Sequence, residues 1–150
     1  MKLYLDVSCL NRPFDDQSQG RIRLEADAVI LILQAIDAGR HTQQSSRMAE
    51  IEIAAIPDEI RRRRIRQLLP EGIIPLSPEI FARAASLVER GMAAADAVHV
   101  AAAEAADADV FLTCDDRLLR LCRRLANELK LRAANPVEWI KEQFDESNLG

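Results

Sequence analysis

Aromatic side chains are scarce in this chain: one Trp, one Tyr and four Phe among 150 residues. A core built mainly on large rings is therefore excluded, and abundant alanine implies helices that pack closely through small side chains. Glycine (five) and proline (six) are too few for a fibrous or disordered chain. The glycines include no G-x-x-x-x-G-K-[ST] run, so no phosphate-cradling loop is present. Three cysteines, Cys9, Cys114 and Cys122, lack C-x-x-C spacing. That argues against a disulfide framework or a zinc site and leaves buried, inert thiols in a reducing cytoplasm as the expectation. Long apolar runs are missing too. The longest, Ala28 to Leu33, is far short of the ~20 residues that cross a bilayer. No basic segment followed by an apolar stretch opens the chain, so neither a signal peptide nor a membrane partner is expected. Positive charge is not in excess: the net charge of −4 argues against a general nucleic-acid coat protein. It leaves room for an enzyme whose acidic pocket is offset by bound cations. The basic residues are grouped, at Arg61 to Arg64 and at Arg117, Arg120, Arg123 and Arg124.

What is present is a regular alternation of strand and helix patterns. An apolar strand around Leu3 to Val7 gives way to a loop at Asn11 to Asp16, where Pro13, Asp15 and Asp16 supply turn chemistry. A helix is expected from Gln19 to Gly39, with Ile22, Ala26, Val29, Ile30, Leu33 and Ile36 at helical spacing. A weak, polar strand at His41 to Gln44 precedes a helix capped by Ser45 or Ser46 and running through Ile53. An arginine-rich helix after Pro57 reaches Leu69, and a strand follows at Gly72 to Leu76. Ser77-Pro78-Glu79 combines a capping hydroxyl, a proline at the first helical position and a carboxylate favoured by the helix dipole. That helix ends near Gly91. An alanine-rich helix from Ala93 to Ala106, a strand from Asp109 to Thr113, a helix to Leu129, a thin strand at Leu131 to Ala133 and a helix from Asn135-Pro136 to Phe144 complete the series. This alternation predicts an α/β fold, a parallel sheet covered by helices on both sides. With no repeat or linker, residues 1–150 read as one domain, an ordered core over 1–144 and a fraying tail over 145–150.

Parallel sheets bind ligands beyond the carboxyl ends of their strands. Two strands here finish on an aspartate, Asp6 and Asp115, and the alanine-rich helix carries Asp96. Carboxylates brought together repel one another unless a cation or shared protons compensates. Mg²⁺ and Mn²⁺ prefer such oxygen ligands; one or two ions can polarise a phosphate oxygen, activate a water and steady the leaving oxygen. Asp115 or Asp116 opens the next helix; Asp116 is read as the dipole partner, which leaves Asp115 for the pocket.

Three stretches, Leu3-Tyr4-Leu5-Asp6-Val7-Ser8, Ala94-Ala95-Asp96-Ala97-Val98-His99-Val100-Ala101 and Val110-Phe111-Leu112-Thr113-Cys114-Asp115, together resemble a PIN domain. The resemblance implies a three-layer α/β/α sandwich with a central parallel sheet. It implies an Mg²⁺- or Mn²⁺-dependent endoribonuclease acting on RNA, of the kind found in VapC-type toxins. A small antitoxin protein and a homodimer are the partners it implies. Carried onto this chain, the catalytic and metal-ligating positions are Asp6, Glu50, Asp96 and Asp115. Glu50 is preferred for its Ala-Glu-apolar setting, and Glu52, roughly 200° around the helix, is the alternative. Ser8 and Thr113 fit hydroxyl positions that orient a ligand carboxylate or its water. Arg12 and Arg117, near the strand ends, are candidates for holding an RNA backbone. The chain departs from the family pattern at Val7, where a Thr is usual, and in the polar stretch before Glu50. His99 is not a metal position in the resemblance and reads as a packed, hydrogen-bonded histidine; Asp15 and Asp16 read as loop residues. Two other classes stand beside this reading. One is a catalytically silent RNA- or protein-binding module on the same scaffold. The other is a small nucleotide-binding or phosphoacceptor domain, which the missing phosphate loop disfavours.

Overall fold

The computed structural model describes residues 1–149, with side chains described through residue 146. Five parallel strands, β1 (Lys2–Leu5), β2 (Thr42–Ser46), β3 (Ile73–Ile74), β4 (Val110–Leu112) and β5 (Arg132–Ala134), form one sheet in the order β3-β2-β1-β4-β5. The chain therefore builds outward from β1 in one direction, then returns to add β4 and β5 on the other side. Helices α1 (Val7–Asn11), α2 (Gly20–Asp37), α3 (Arg47–Ala54), α4 (Glu59–Arg66), α5 (Pro78–Glu89), α6 (Ala94–Ala105), α7 (Asp116–Arg124) and α8 (Pro136–Leu149) connect and cover the sheet. This is the expected α/β/α architecture. No helix among the described residues is long and apolar enough to cross a membrane.

Alternation along β1 divides the core, because successive side chains of a strand point to opposite faces. Leu3 and Leu5 pack with Val29, Ile32 and Trp139 on one side; Tyr4 packs with Leu87, Val100 and Phe111 on the other. Tyr4 stacks on Phe111 with centroids 5.4 Å apart. Few as they are, Tyr4, Phe111 and Trp139 are among the largest fully buried side chains, each contributing about 1.5–3 kcal/mol by burial. Ala97, Ala101, Ala102 and Ala103 are buried, and their small size lets α6 lie close to both the sheet and α5. The three cysteines are free and buried; burial pushes the Cys9 thiol well up, and Cys122 up to about 11.

Several boundaries differ from the sequence pattern. Val7, read as strand, opens α1 directly after Asp6, because Val7, Cys9 and Leu10 all reach the core from a helix; burial overrides the β preference of Val. The polar strand β2 extends two residues past Gln44. Its side-chain amides reach sideways, Gln43 Nε2 donating to the Leu68 carbonyl at 3.0 Å and Gln44 Nε2 to the Ala106 carbonyl at 2.9 Å, while the buried Gln44 Oε1 meets no partner among the described residues. Ser46 stands at the N-cap of α3 without capping it by side chain. Asp58, after Pro57, caps α4 instead by accepting from the Arg61 amide at 3.0 Å. Ser77 caps α5 as expected, accepting from the Ile80 amide at 3.2 Å. Helix α7 stops at Arg124, short of Leu129, and α8 continues past Phe144 to Leu149; Gly150, the end of the expected tail, lies outside the described residues.

Candidate active site

The reversal of strand order falls between β1 and β4, and the crevice beyond such a switch point is where open α/β sheets bind ligands. Asp6 leaves the end of β1 two residues after Tyr4, on the side covered by α6. It is buried, at 5% exposure. Its amide donates to the Leu112 carbonyl at 2.9 Å, tying the ends of β1 and β4. Two hydroxyls, Ser8 Oγ and Thr113 Oγ1, donate to Asp6 Oδ2, each at 2.8 Å. Ser8 Oγ also accepts from the Cys114 amide at 3.1 Å, and Thr113 Oγ1 from the Asp115 amide at 3.1 Å. Both hydroxyls are thus fixed by backbone and aimed at one carboxylate oxygen. Burial pushes the Asp6 carboxyl up, opposed by His99 and by the two hydroxyls.

Asp96 lies in the first turn of α6 and is half-buried. Among the described residues, no donor meets its carboxylate. Burial, then the charges of Asp6 and Asp115, push it up to about 6. Asp115 is the N-cap of α7: its Oδ1 accepts from the amides of Arg117 at 3.0 Å and Leu118 at 3.2 Å. Asp115 therefore caps α7, while Asp116, read as the dipole partner, lies in the first turn of the helix and pairs with Arg21 at 2.5 Å. A cleft of about 320 Å³ opens here, lined by Val88, Met92, Ala93, Asp96, Asp115 and Arg117. A larger hollow of about 520 Å³ lies at the amino ends of β4 and β5, with Asp107, Asp109, Lys130 and Arg132 in its wall; there the charges of both signs balance.

The two α3 glutamates part company. Glu50 pairs with Arg47 at 3.5 Å. Glu52 Oε1 lies 2.7 Å from Nε2 of His99, and its charge bears on Asp6 and Asp96. His99 is fully buried and its Nδ1 lies 2.7 Å from the Tyr4 hydroxyl, which lies 2.7 Å from Ser46 Oγ. Burial lowers the imidazole's proton affinity, but the bond to Glu52 and the charges of Asp6, Glu52 and Asp96 outweigh it, and the net direction is up. This chain from Ser46 through Tyr4 and His99 to Glu52 was not read from the sequence as a unit. The signal available was His99 three residues after Asp96, hence on the same helix face. Arg12, the other backbone-holding candidate, is engaged by Glu25 at 2.9 Å and Asp15 at 3.0 Å. Asp15 also pairs with Arg61, and Asp16 accepts from the Ser18 amide, so both are loop residues as expected.

Could these residues hold a divalent cation? Among the described residues, no three His, Cys, Asp or Glu side chains stand close enough to enclose one ion. Mg²⁺ does not require that: one or two carboxylates with retained waters are its usual protein ligands. The donors around Asp96 are carboxylate oxygens, and Asp96 itself has mutual repulsion and no compensating donor. The chemistry of the set fits a hard cation.

The PIN domain family model matches residues 3–124, a span that contains all the acidic residues of the cleft, and the chain belongs to that family. PIN domains are generally nucleases. Among solved structures, the chain is similar to that of FitAB bound to an IR36 DNA fragment, with a TM-score of 0.55 and 20% identity over 90% of this chain and 95% of that one. Likeness at that identity speaks to the fold. No curated protein sequence matches the chain.

Proposed function

We propose that residues 1–150 form one PIN domain that acts as an Mg²⁺- or Mn²⁺-dependent endoribonuclease, hydrolysing RNA phosphodiester bonds in the cleft at the ends of β1 and β4. The observation that carries this reading is the half-buried carboxylate of Asp96, which shares the cleft with Asp115 and meets no hydrogen-bond donor among the described residues. Asp6 and Asp96 would hold the cation, with Asp115 beside them. A bound cation supplies Lewis-acid polarisation of the scissile phosphate and activation of water. The protein's own residues do the positioning. Ser8 and Thr113 fix one oxygen of Asp6 and leave the other without a side-chain donor among the described residues. Asp115 caps α7 with one oxygen only. His99 holds Glu52, whose charge bears on Asp6 and Asp96, which favours Glu52 over Glu50 as the fourth carboxylate. Arg117 faces the same cleft and is placed to meet a phosphate.

The partners follow from the same reading: RNA as substrate, a small antitoxin protein that occupies the groove, and a second copy of the chain, in the cytoplasm. Apolar side chains left in solvent, such as Leu24, Ile60 and Phe81, offer surface for protein partners. The test is cleavage of a mixed RNA pool by the purified protein with Mg²⁺, with Mn²⁺ and with chelator, beside Asp96→Asn. Metal-dependent cutting that disappears in Asp96→Asn is the expected result. No cutting with either ion, together with no ion binding by calorimetry, would replace the nuclease with a catalytically silent RNA- or protein-binding module.

A further inference from the structure

Helix α7 buries Leu118, Leu119, Leu121 and Cys122 and turns its charged residues outward. At ~3.6 residues per turn the outward side divides into two strips. One holds Asp116 and Arg123, and both are neutralised, Asp116 by Arg21 at 2.5 Å and Arg123 by Glu138 at 2.6 Å. The other holds Arg117, Arg120 and Arg124, within about 60° of one another around the axis. These three are exposed. Among the described residues, none makes an ion pair or a side-chain hydrogen bond; Arg120 acts on Asp116 only through space.

The strip starts at the cleft. Arg117 and Leu121 line it alongside Asp96 and Asp115, Arg120 lines the neighbouring hollow with Asp116 and Arg123, and from Arg117 the strip runs to Arg124 over about 10 Å, seven residues at ~1.5 Å each. The facing wall, Val88, Gly91, Met92 and Ala93, carries no charge. We infer that Arg117, Arg120 and Arg124 form a track for the phosphates of a single RNA strand entering the acidic cleft, an inference that rests on the nuclease reading for the identity of the strand. A row of about 10 Å is long enough to meet successive phosphates of one strand. Planar guanidinium forks suit phosphate oxygens better than ammonium groups do. One row of cations matches one backbone; a duplex would present a second backbone with no matching row on α7.

The test is the salt dependence of binding. A fluorescein-labelled single-stranded RNA of mixed sequence is titrated with Asp96→Asn protein in Mg²⁺, so that the strand stays intact, and anisotropy is read between 50 and 200 mM salt. Each phosphate contact to a single strand contributes about 0.7 to the slope of log K against log salt. Adding Arg120→Gln and Arg124→Gln should flatten the slope by about 1.4, so that affinity falls about sevenfold less across the fourfold salt range. Arg120→Lys with Arg124→Lys should keep the slope, and Arg123→Gln, on the neutralised strip, should leave it unchanged. An unchanged slope in the double Gln protein, an equal change in Arg123→Gln, or binding of an acidic peptide in place of the RNA overturns the track. RNA cutting by the native protein is followed in parallel. Cutting with an unchanged slope removes the track and leaves the nuclease; a flattened slope with neither cutting nor ion binding leaves the track and removes the nuclease.

Discussion

Asp96→Asn is expected to stabilise the metal-free protein while disabling it. The carboxyl is moved from 3.8 to about 6, first by burial and then by Asp6 and Asp115. At ~1.4 kcal/mol per pH unit the upper limit is about 3 kcal/mol. Asp96 is only half-buried, and solvent screening reduces this to about 1–2 kcal/mol. The sign follows from proton binding. Below pH 3.8 the group is neutral in both states and costs nothing. Between 3.8 and about 6 the unfolded chain has released its proton while the folded one retains it, so stability falls as pH rises. Above about 6 the full penalty is present. Asparagine has the same shape and no charge, so the variant should match the native protein near pH 3.5 and exceed it at pH 7.5. For a chain of this size the gain corresponds to about 3–6 °C in melting temperature. Urea and thermal unfolding in chelator at the two pH values measure it. Mg²⁺ should then raise the native midpoint at pH 7.5 and leave the variant's largely unmoved, since only a ligand that prefers the folded state stabilises. A variant less stable than the native protein at pH 7.5 in chelator, or a gain that is the same at both pH values, would refute the reasoning.

Three further outcomes are expected. Asp115→Asn should keep the α7 cap, because asparagine caps as well as aspartate, and lose RNA cleavage; Asp115→Ala should lose cleavage and also about 1 kcal/mol of stability by urea unfolding. Glu52→Gln should lower metal-dependent cleavage at least tenfold, the scale on which groups around a metal site act, whereas Glu50→Gln should leave it within twofold; equal losses would mean that both carboxylates serve the site. Tyr4→Phe should cost about 1–3 kcal/mol, since it leaves His99 Nδ1 and Ser46 Oγ without their buried partner; a cost near zero by urea unfolding would mean that water replaces the hydroxyl.

The parallel sheet was legible because α/β alternation leaves two kinds of mark, apolar runs and helix starts, and both are dense here. Ser77-Pro78-Glu79 starts α5 where its capping chemistry says, and Leu3-Tyr4-Leu5 is a strand. The misreadings have tertiary causes. Val7 reads as strand by propensity, yet turns into α1 because that conformation lets Val7, Cys9 and Leu10 reach the core together. β2 reads poorly because Gln43 and Gln44 lack an apolar pattern, and their side-chain NH2 groups donate to carbonyls 25 and 62 residues away. Ser46 reads as a cap, but a tyrosine hydroxyl from β1 takes its side chain.

The site divides in the same way. Asp6, Asp96 and Asp115 were legible because each sits where local pattern alone puts it, at a strand end, in a helix of small residues, or between a strand and a helix. The choice between Glu50 and Glu52 has no local answer. Ala49 and Ile53 are the buried positions of α3, and at 100° per residue the two glutamates lie about 80° to either side of that buried face. Helical position gives them equal standing, and the Ala-Glu-apolar setting alone prefers Glu50. What separates them is which flank of α3 turns toward α6, and that depends on strand order: β2 pairs with β1, β1 with β4, and the helix leading into β4 is α6. The flank turned that way carries Glu52 to His99, three residues beyond Asp96 on the same helix face. A buried histidine is therefore what separates a symmetric pair of carboxylates into one, Glu52, that bonds to His99 and one, Glu50, that pairs with Arg47.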